Sequence, residues 1–369
     1  MMREHSFTPV IRRILSDEFG SVSEQILRQS DLVQYINVKT VSASRGSKAR
    51  GSFGNLYAIY VLVEDYINRG FHVSEDYEDA EGARFSDLFK RQRELPFGSK
   101  LQNHALNHRL NQEFRKYFPI SGAQPILRDN ESHQYWINEH LLKVEIEGQE
   151  HNIAEAIIKI IDAYIDAKQE SFHSFIRDCE RMQSISDESP KEVVDFIASL
   201  LRPNVDARLF EIVSFAILKA HYGDKAIFWG WELDRIEEER LVLYKTGRTN
   251  ANDGGIDFVM RPLGRFFQVT ETLDVRKYFL DIDKVQKYPI TFVVKAEMDV
   301  SEIQQAIREQ AKDQYPVRAI IKRYMECIEE IINTPILIAR LQKVVQAGGL
   351  NTVIEEIVKH SRVEFNLAV

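Results

Sequence analysis

The chain has 369 residues, 44% of them hydrophobic and 28% charged, with a formal net charge of −8. This is the composition of a soluble globular protein of about two domains, and no apolar run approaches the ~18–20 residues of a membrane span. Cys179 and Cys327 lie far apart without CxxC spacing, which argues against a disulfide framework or a zinc site.

The opening MMREHSFTPVIRRILSDEF lacks a signal-peptide core and reads as an amphipathic helix, so a cytoplasmic location is expected. Residues 1 to about 180 are mainly helical in pattern. Residues 55–68 show a broad apolar face ended by Gly70, and 103–118 carry Leu106, Leu110 and Phe114 at helical spacing before Pro119. A strand pair follows at 133–137 and 141–146, then a helix over 154–182. The polar, proline-ended SISDESP at 184–190 marks the expected boundary, giving domains 1–186 and 187–369. Beyond it the spacing predicts helices over 191–201 and 206–221, strands over 225–231, 255–261, 265–272 and 290–295, and helices over 275–287, 301–314, 317–333 and 335–347. Helix, three strands, helix, strand is an α/β order with a mixed sheet.

One hairpin holds more polar groups than packing needs. Asp257 follows Gly254–Gly255 at the head of a strand, and Gln268 stands eleven positions later, across a turn at Pro262–Gly264. That spacing brings the two side chains together across a hairpin, while Gln268 and Thr270 share a face and Val269 and Glu271 take the other. A carboxylate, an amide oxygen and the backbone at Val269 form an oxygen donor set of the kind that suits Mg²⁺. Each residue has an ordinary alternative. Asp257 can close its own turn, and a glutamate on a helix is commonly solvated or salt-bridged. Gln268 resists such an explanation more, because a buried amide is costly unless bonded.

Residues 210–295 resemble the PD-(D/E)XK nuclease fold, in particular its Mrr-like restriction-endonuclease branch. Glu211 on the helix, Gly254–Gly255–Ile256–Asp257, and Gln268–Val269–Thr270 fall in the order of that branch's helix glutamate, GGxD strand and QxK strand. The resemblance implies a restriction-endonuclease-like mixed sheet flanked by helices, preceded by a mostly helical domain. It also implies Mg²⁺-dependent hydrolysis of phosphodiester bonds in double-stranded DNA at a specific sequence, as in type II restriction enzymes, with Asp257, Gln268 and Glu211 as metal ligands. The family's lysine is replaced by Thr270; Lys295, Lys245 or a recruited Glu271 are the candidate substitutes. Cutting both strands of a palindromic site favours a homodimer, whose contact is expected in 317–347 unless those helices cover the sheet. A modification-dependent or repair nuclease, and a non-catalytic DNA-binding protein on a decayed scaffold, are the alternatives.

Two basic stretches are candidate DNA contacts. The loop at 42–55 holds Arg45, Lys48 and Arg50 among serines and glycines. Residues 90–116 interleave Lys90, Arg91, Arg93, Lys100 and Arg109 with Asn103 and Asn107, residue types that pair with base edges. Arg248, in the loop before Asp257, can meet a phosphate near the cut. His104 and His108 have metal-ligand spacing but no third ligand.

Overall fold

A computed structural model of the chain describes residues 4–41, 43, 49–74, 76–99, 101–246 and 256–365. The chain divides into two compact units, Met1–Ser174 and Phe175–Val369. Among the described residues no helix is long and apolar enough to cross a membrane.

The first unit is mostly helical. It opens with α1 (Thr8–Phe19), α2 (Ser23–Gln29), α3 (Asp31–Thr40) and α4 (Ala49–Asn68). Residues 56–63 of α4 are buried throughout, as expected of a helix that is hydrophobic all round. The short β1 (Ala83–Arg84) and α5 (Phe85–Glu94) follow. The 103–118 segment becomes a π-helical turn, Ala105–Arg109, running into α6 (Leu110–Tyr117). Leu106, Leu110 and Phe114 are buried as their spacing requires.

Four short strands come next: β2 (Ile126–Asp129), β3 (Gln134–Ile137), β4 (Lys143–Ile146) and β5 (Gln149–Asn152). The expected pairing of 133–137 with 141–146 is corrected here. β3 lies between β1 and β2, while β4 turns back on β5 through Glu147 and Gly148, both at positive φ. A tight two-residue turn satisfies β4 locally and leaves it no need of β3. The long α7 (Ala154–Ser184) then crosses the division. Its Ile157, Ile160, Ile161 and Tyr164 are buried in the first core, whereas Cys179 and Met182 are buried in the second. The change of core therefore falls inside a helix, ahead of the polar stretch at 184–190.

The second unit begins with α8 (Pro190–Ser199) and α9 (Ala207–Gly223). A separate hairpin, β6 (Ala226–Trp229) and β7 (Glu237–Arg240), precedes β8 (Val242–Lys245), β9 (Phe258–Arg261) and β10 (Arg265–Thr270). Then come α10 (Val275–Lys284), β11 (Ile290–Val294), α11 (Val300–Gln314), α12 (Arg318–Glu326), β12 (Ile328–Ile332), α13 (Thr334–Gln346) and α14 (Leu350–Phe365). The five-stranded sheet has the order β12-β11-β10-β9-β8, antiparallel from β8 to β10 and parallel from β10 to β12. Gly264, at φ 67°, supplies the left-handed residue of the β9–β10 turn.

Two of the expected elements change. The run at 225–231 leaves the main sheet, and β8 takes its place, because Leu243 can bury against α9 while Phe228 and Trp231 stay exposed. The helix over 317–333 stops at Glu326, and its tail becomes β12. Ile331 and Ile332 there are buried in different cores, on opposite faces of the sheet, a use only a strand can make of adjacent residues. α9, α13 and α14 cover one face with Phe258, Met260, Phe267 and Val293, and α10, α11 and α12 cover the other with Phe292 and Val294. The helices within 317–347 thus cover the sheet.

Candidate functional site

Helix α9 is capped by Asp206, whose carboxylate accepts from the amides of Arg208 and Leu209 at 2.6 and 3.3 Å. Within this almost wholly buried helix, Glu211 is the one acid. It is tolerated because two cations meet it. Arg208, one turn earlier, donates to Oε2, and Lys245 Nζ lies 2.9 Å from Oε1. Lys245 shares the face of β8 that points Leu243 at α9. Burial by itself pushes the Glu211 carboxyl up, but Lys245 and Arg208 outweigh it and hold the group below its ordinary value.

Asp257 approaches the same place from the sheet. Phe258 is the ladder partner of Phe267, yet the Asp257 amide also donates to the Phe267 carbonyl, at 3.1 Å. Two consecutive residues opposite one make a β-bulge, which shifts Asp257 out of the regular alternation. Its Oδ2 accepts from the Val269 amide at 2.7 Å. Burial and then the charge of Glu211 push the Asp257 carboxyl up to about 7, against the opposing pull of the Val269 amide, Arg208 and Lys245. A helix and three strands thus bring two carboxylates and two cations together.

The bulge corrects the expected convergence of Asp257 with Gln268. Along β10, Phe267 and Val269 pack toward α9, and Phe266 packs toward α10. Gln268 pairs in register with Phe292 and so takes the α10 face, where its Oε1 is buried without a hydrogen-bond partner among the described residues. Asp257 meets the main chain of Val269 in its stead. Thr270 is occupied locally: its hydroxyl donates to the Thr272 carbonyl at 3.1 Å and accepts from the Thr272 amide at 3.3 Å. Glu271 accepts from Lys295 Nζ at 2.7 Å. Lys295 is buried, donates also to the Val205 carbonyl just before the α9 cap, and lies 5.8 Å over the ring of Phe210. Of the candidate lysines, Lys245 therefore sits with Glu211, and Lys295 is tied into the base of α9.

Arg208 is the member of this cluster that sequence reasoning missed, although its i, i+3 spacing to Glu211 was a signal. Glu364 of α14, 3.8 Å from Arg208 Nε, had none. His360, edge-on to Phe215 at 4.8 Å, is held below its ordinary pKa by burial and by Lys245. Among the described residues no group of three or more His, Cys, Asp or Glu is placed to hold a metal ion. The donor set fits a divalent ion such as Mg²⁺ that keeps its waters and shares a substrate phosphate, since one or two carboxylates suffice for that mode. Asp257 has Oδ1 free of the Val269 bond; Gln268, on the far face, does not join it.

The DNA-contact candidates divide similarly. Arg45, Lys48, Lys100, Arg248 and the Gly254–Gly255 pair lie outside the described residues, and Arg50 stands in the first turn of α4 with its side chain outside them. Arg91 is held by Glu64 through two bonds of 2.7 Å, and Arg93 by the Ser99 carbonyl. Asn103 and Arg109 are exposed. Asn107 accepts from the Tyr135 hydroxyl at 3.1 Å and lines a cleft of about 650 Å³ with His108, Asn111, Gln112, Arg115 and Arg128. Comparison with protein-family models, curated proteins and solved structures finds no match to the chain.

Proposed function

We propose that the chain is a Mg²⁺-dependent nuclease of restriction-endonuclease type, cutting double-stranded DNA through the cluster of Asp257, Glu211 and Lys245. The observation that carries this is the pair of carboxylates, delivered by a bulge and a helix, in which one acid raises the other. Two such groups repel until a cation or a proton lies with them. The order helix, three strands, helix, strand around a mixed sheet supports the same reading. Mg²⁺ bound there would polarise a phosphodiester and make its bound water more acidic. Asp257 would hold the ion; Glu211, already balanced by Arg208 and Lys245, would orient the surrounding water. Lys245, held 2.9 Å from Glu211 Oε1, would stand in for the cation missing at Thr270 and offset a developing negative charge.

The cleft beside α6 supports duplex contact by the first unit. His108, Gln112 and Arg115 recur at helical spacing on one face and line it, a set able to meet base edges and phosphates. Two copies acting on a palindromic site would cut both strands. A non-catalytic DNA-binding role is favoured by one observation, the engagement of Thr270 and Gln268 away from Asp257.

Incubating the chain with plasmid DNA, with and without Mg²⁺, separates these. Discrete Mg²⁺-dependent fragments are the expected result; intact DNA at every protein concentration overturns the nuclease. Because Gln268 faces α10, Gln268→Leu should retain cutting. It should also stabilise the chain by about 1 kcal/mol in urea unfolding, since an unbonded buried oxygen is removed. Loss of cutting with stability unchanged would return Gln268 to the site.

A further inference from the structure

A second polar cluster lies at the other end of α9. Ten residues, about 15 Å of helix, separate Glu211 from His221. Around Tyr222, the cations Lys225, Arg265 and Arg340 stand 4.9, 6.0 and 5.6 Å from its ring centroid. The Tyr222 hydroxyl accepts from Arg340 Nη1 at 3.1 Å and from Arg265 Nη1 at 3.5 Å. Both arginines also donate to Glu330, and Arg265 lies 3.3 Å from Glu329. The arginines and these glutamates thus form a rigid, balanced base.

Two lysines on this base are not balanced. Lys225 Nζ lies 3.2 Å from His221 Nε2, and Lys343, one turn beyond Arg340 on α13, bears on the same groups. Among the described residues neither lysine has a carboxylate partner. An ammonium only donates, so Nε2 of His221 is the acceptor and its proton rests on Nδ1. Burial first, and then Lys225, Arg340 and Lys343, push the His221 imidazole down to about 4, while Glu330 pulls weakly the other way. The partial negative charge of a helix C-terminus, about half a unit, does not offset two lysines. In a chain of net charge −8, excess positive charge collected on a fixed aromatic platform is an arrangement awaiting an anion.

We propose that Lys225, Lys343 and His221, seated on the Tyr222–Arg340–Glu330 base, form a binding site for a phosphoryl group. Lysine ammoniums serve phosphate as point charges, and several cationic donors at one end of a helix suit its several acceptor oxygens better than a carboxylate's two. The group can belong to a nucleic-acid backbone lying across this end of the sheet or to a free phosphate. The site stands apart from the Asp257 cluster and does not depend on cleavage there.

The test reads the His221 ring by nuclear magnetic resonance in the full chain, at pH 5.5 and without divalent ions. Inorganic phosphate, a short DNA duplex and sodium chloride of equal ionic strength are compared. An anion seated among the lysines should raise the His221 pKa by about one unit, a tenfold gain in proton affinity, and move the ring signal toward the protonated position. A response to phosphate alone assigns a free phosphoryl ligand, and a response to duplex alone assigns the DNA backbone; either supports the site. A response to neither beyond that to chloride overturns it. So does a full response that persists in Lys225→Ala/Lys343→Ala.

Discussion

Asp257→Asn is expected to make the chain more stable at pH 8 by about 2–4 kcal/mol while lowering cleavage on the order of 10³-fold. Asparagine keeps an oxygen for the Val269 amide but has no charge to lose water with or to set against Glu211. The pH dependence follows from the direction of the shift. Burial beside Glu211 raises the folded-state pKa to about 7 from an ordinary value of 3.8. The folded chain therefore holds this proton more tightly than the unfolded one. Asp257 is neutral at no cost below about pH 4, and its stabilising contribution is lost as pH rises through about 7. The advantage of Asn should accordingly be near zero at pH 4, grow between 4 and 7, and level off above. Urea unfolding at pH 4, 6 and 8 reads it directly. An advantage that is the same at all three would mean that Asp257 is not desolvated, and retained cutting would remove it from the chemistry. A group whose removal stabilises the fold while ending activity is the signature of a site held under electrostatic tension for function.

Glu211→Ala should do the opposite to stability. It removes the carboxylate that Lys245 and Arg208 share, leaving Arg208 with Glu364 at 3.8 Å and Lys245 without its ion-pair partner, which costs about 2–4 kcal/mol at these partly buried positions. The same change brings the Asp257 pKa down, because the like charge that raised it is absent. Adding Lys245→Met to Glu211→Ala should recover part of the loss, as one stranded cation is then replaced by an apolar chain of similar length. A double-mutant cycle isolates this coupling. Strict additivity of the two changes would show that Lys245 and Glu211 do not act on each other.

Much of the architecture was legible in the order of residues. The period-3.6 runs that became α4, α7 and α9, and the alternation that became β9 and β10, are local signals, and each element could be read without its neighbours. Asp257 stood out by its place after two glycines in a hairpin rich in polar groups, whereas Glu211 was picked out only by the order of residues in the resemblance. The strand at 328–332 was hidden because Ile331 and Ile332 fit a helix pattern as well as a strand. Only a partner already present, β11, with helices on both faces, makes the extended form the better burial. β8 was hidden by its length, since four residues carry too little alternation to compete with the more apolar run at 225–231.

What the order of residues by itself determined is the choice of groups: two carboxylates, a nearby lysine, a hairpin with a glycine at its turn, and a helix apolar enough to be enclosed. Which of those groups meet was decided in three dimensions. A single bulge of one residue reverses the facing of Asp257 relative to Gln268, because strand side chains alternate with period two and any one-residue offset exchanges the faces. The unpaired lysines beside His221 have the same origin. Lys225 comes from the loop after α9 and Lys343 from α13, more than a hundred residues apart, and only the packing of α13 against α9 makes their charges add.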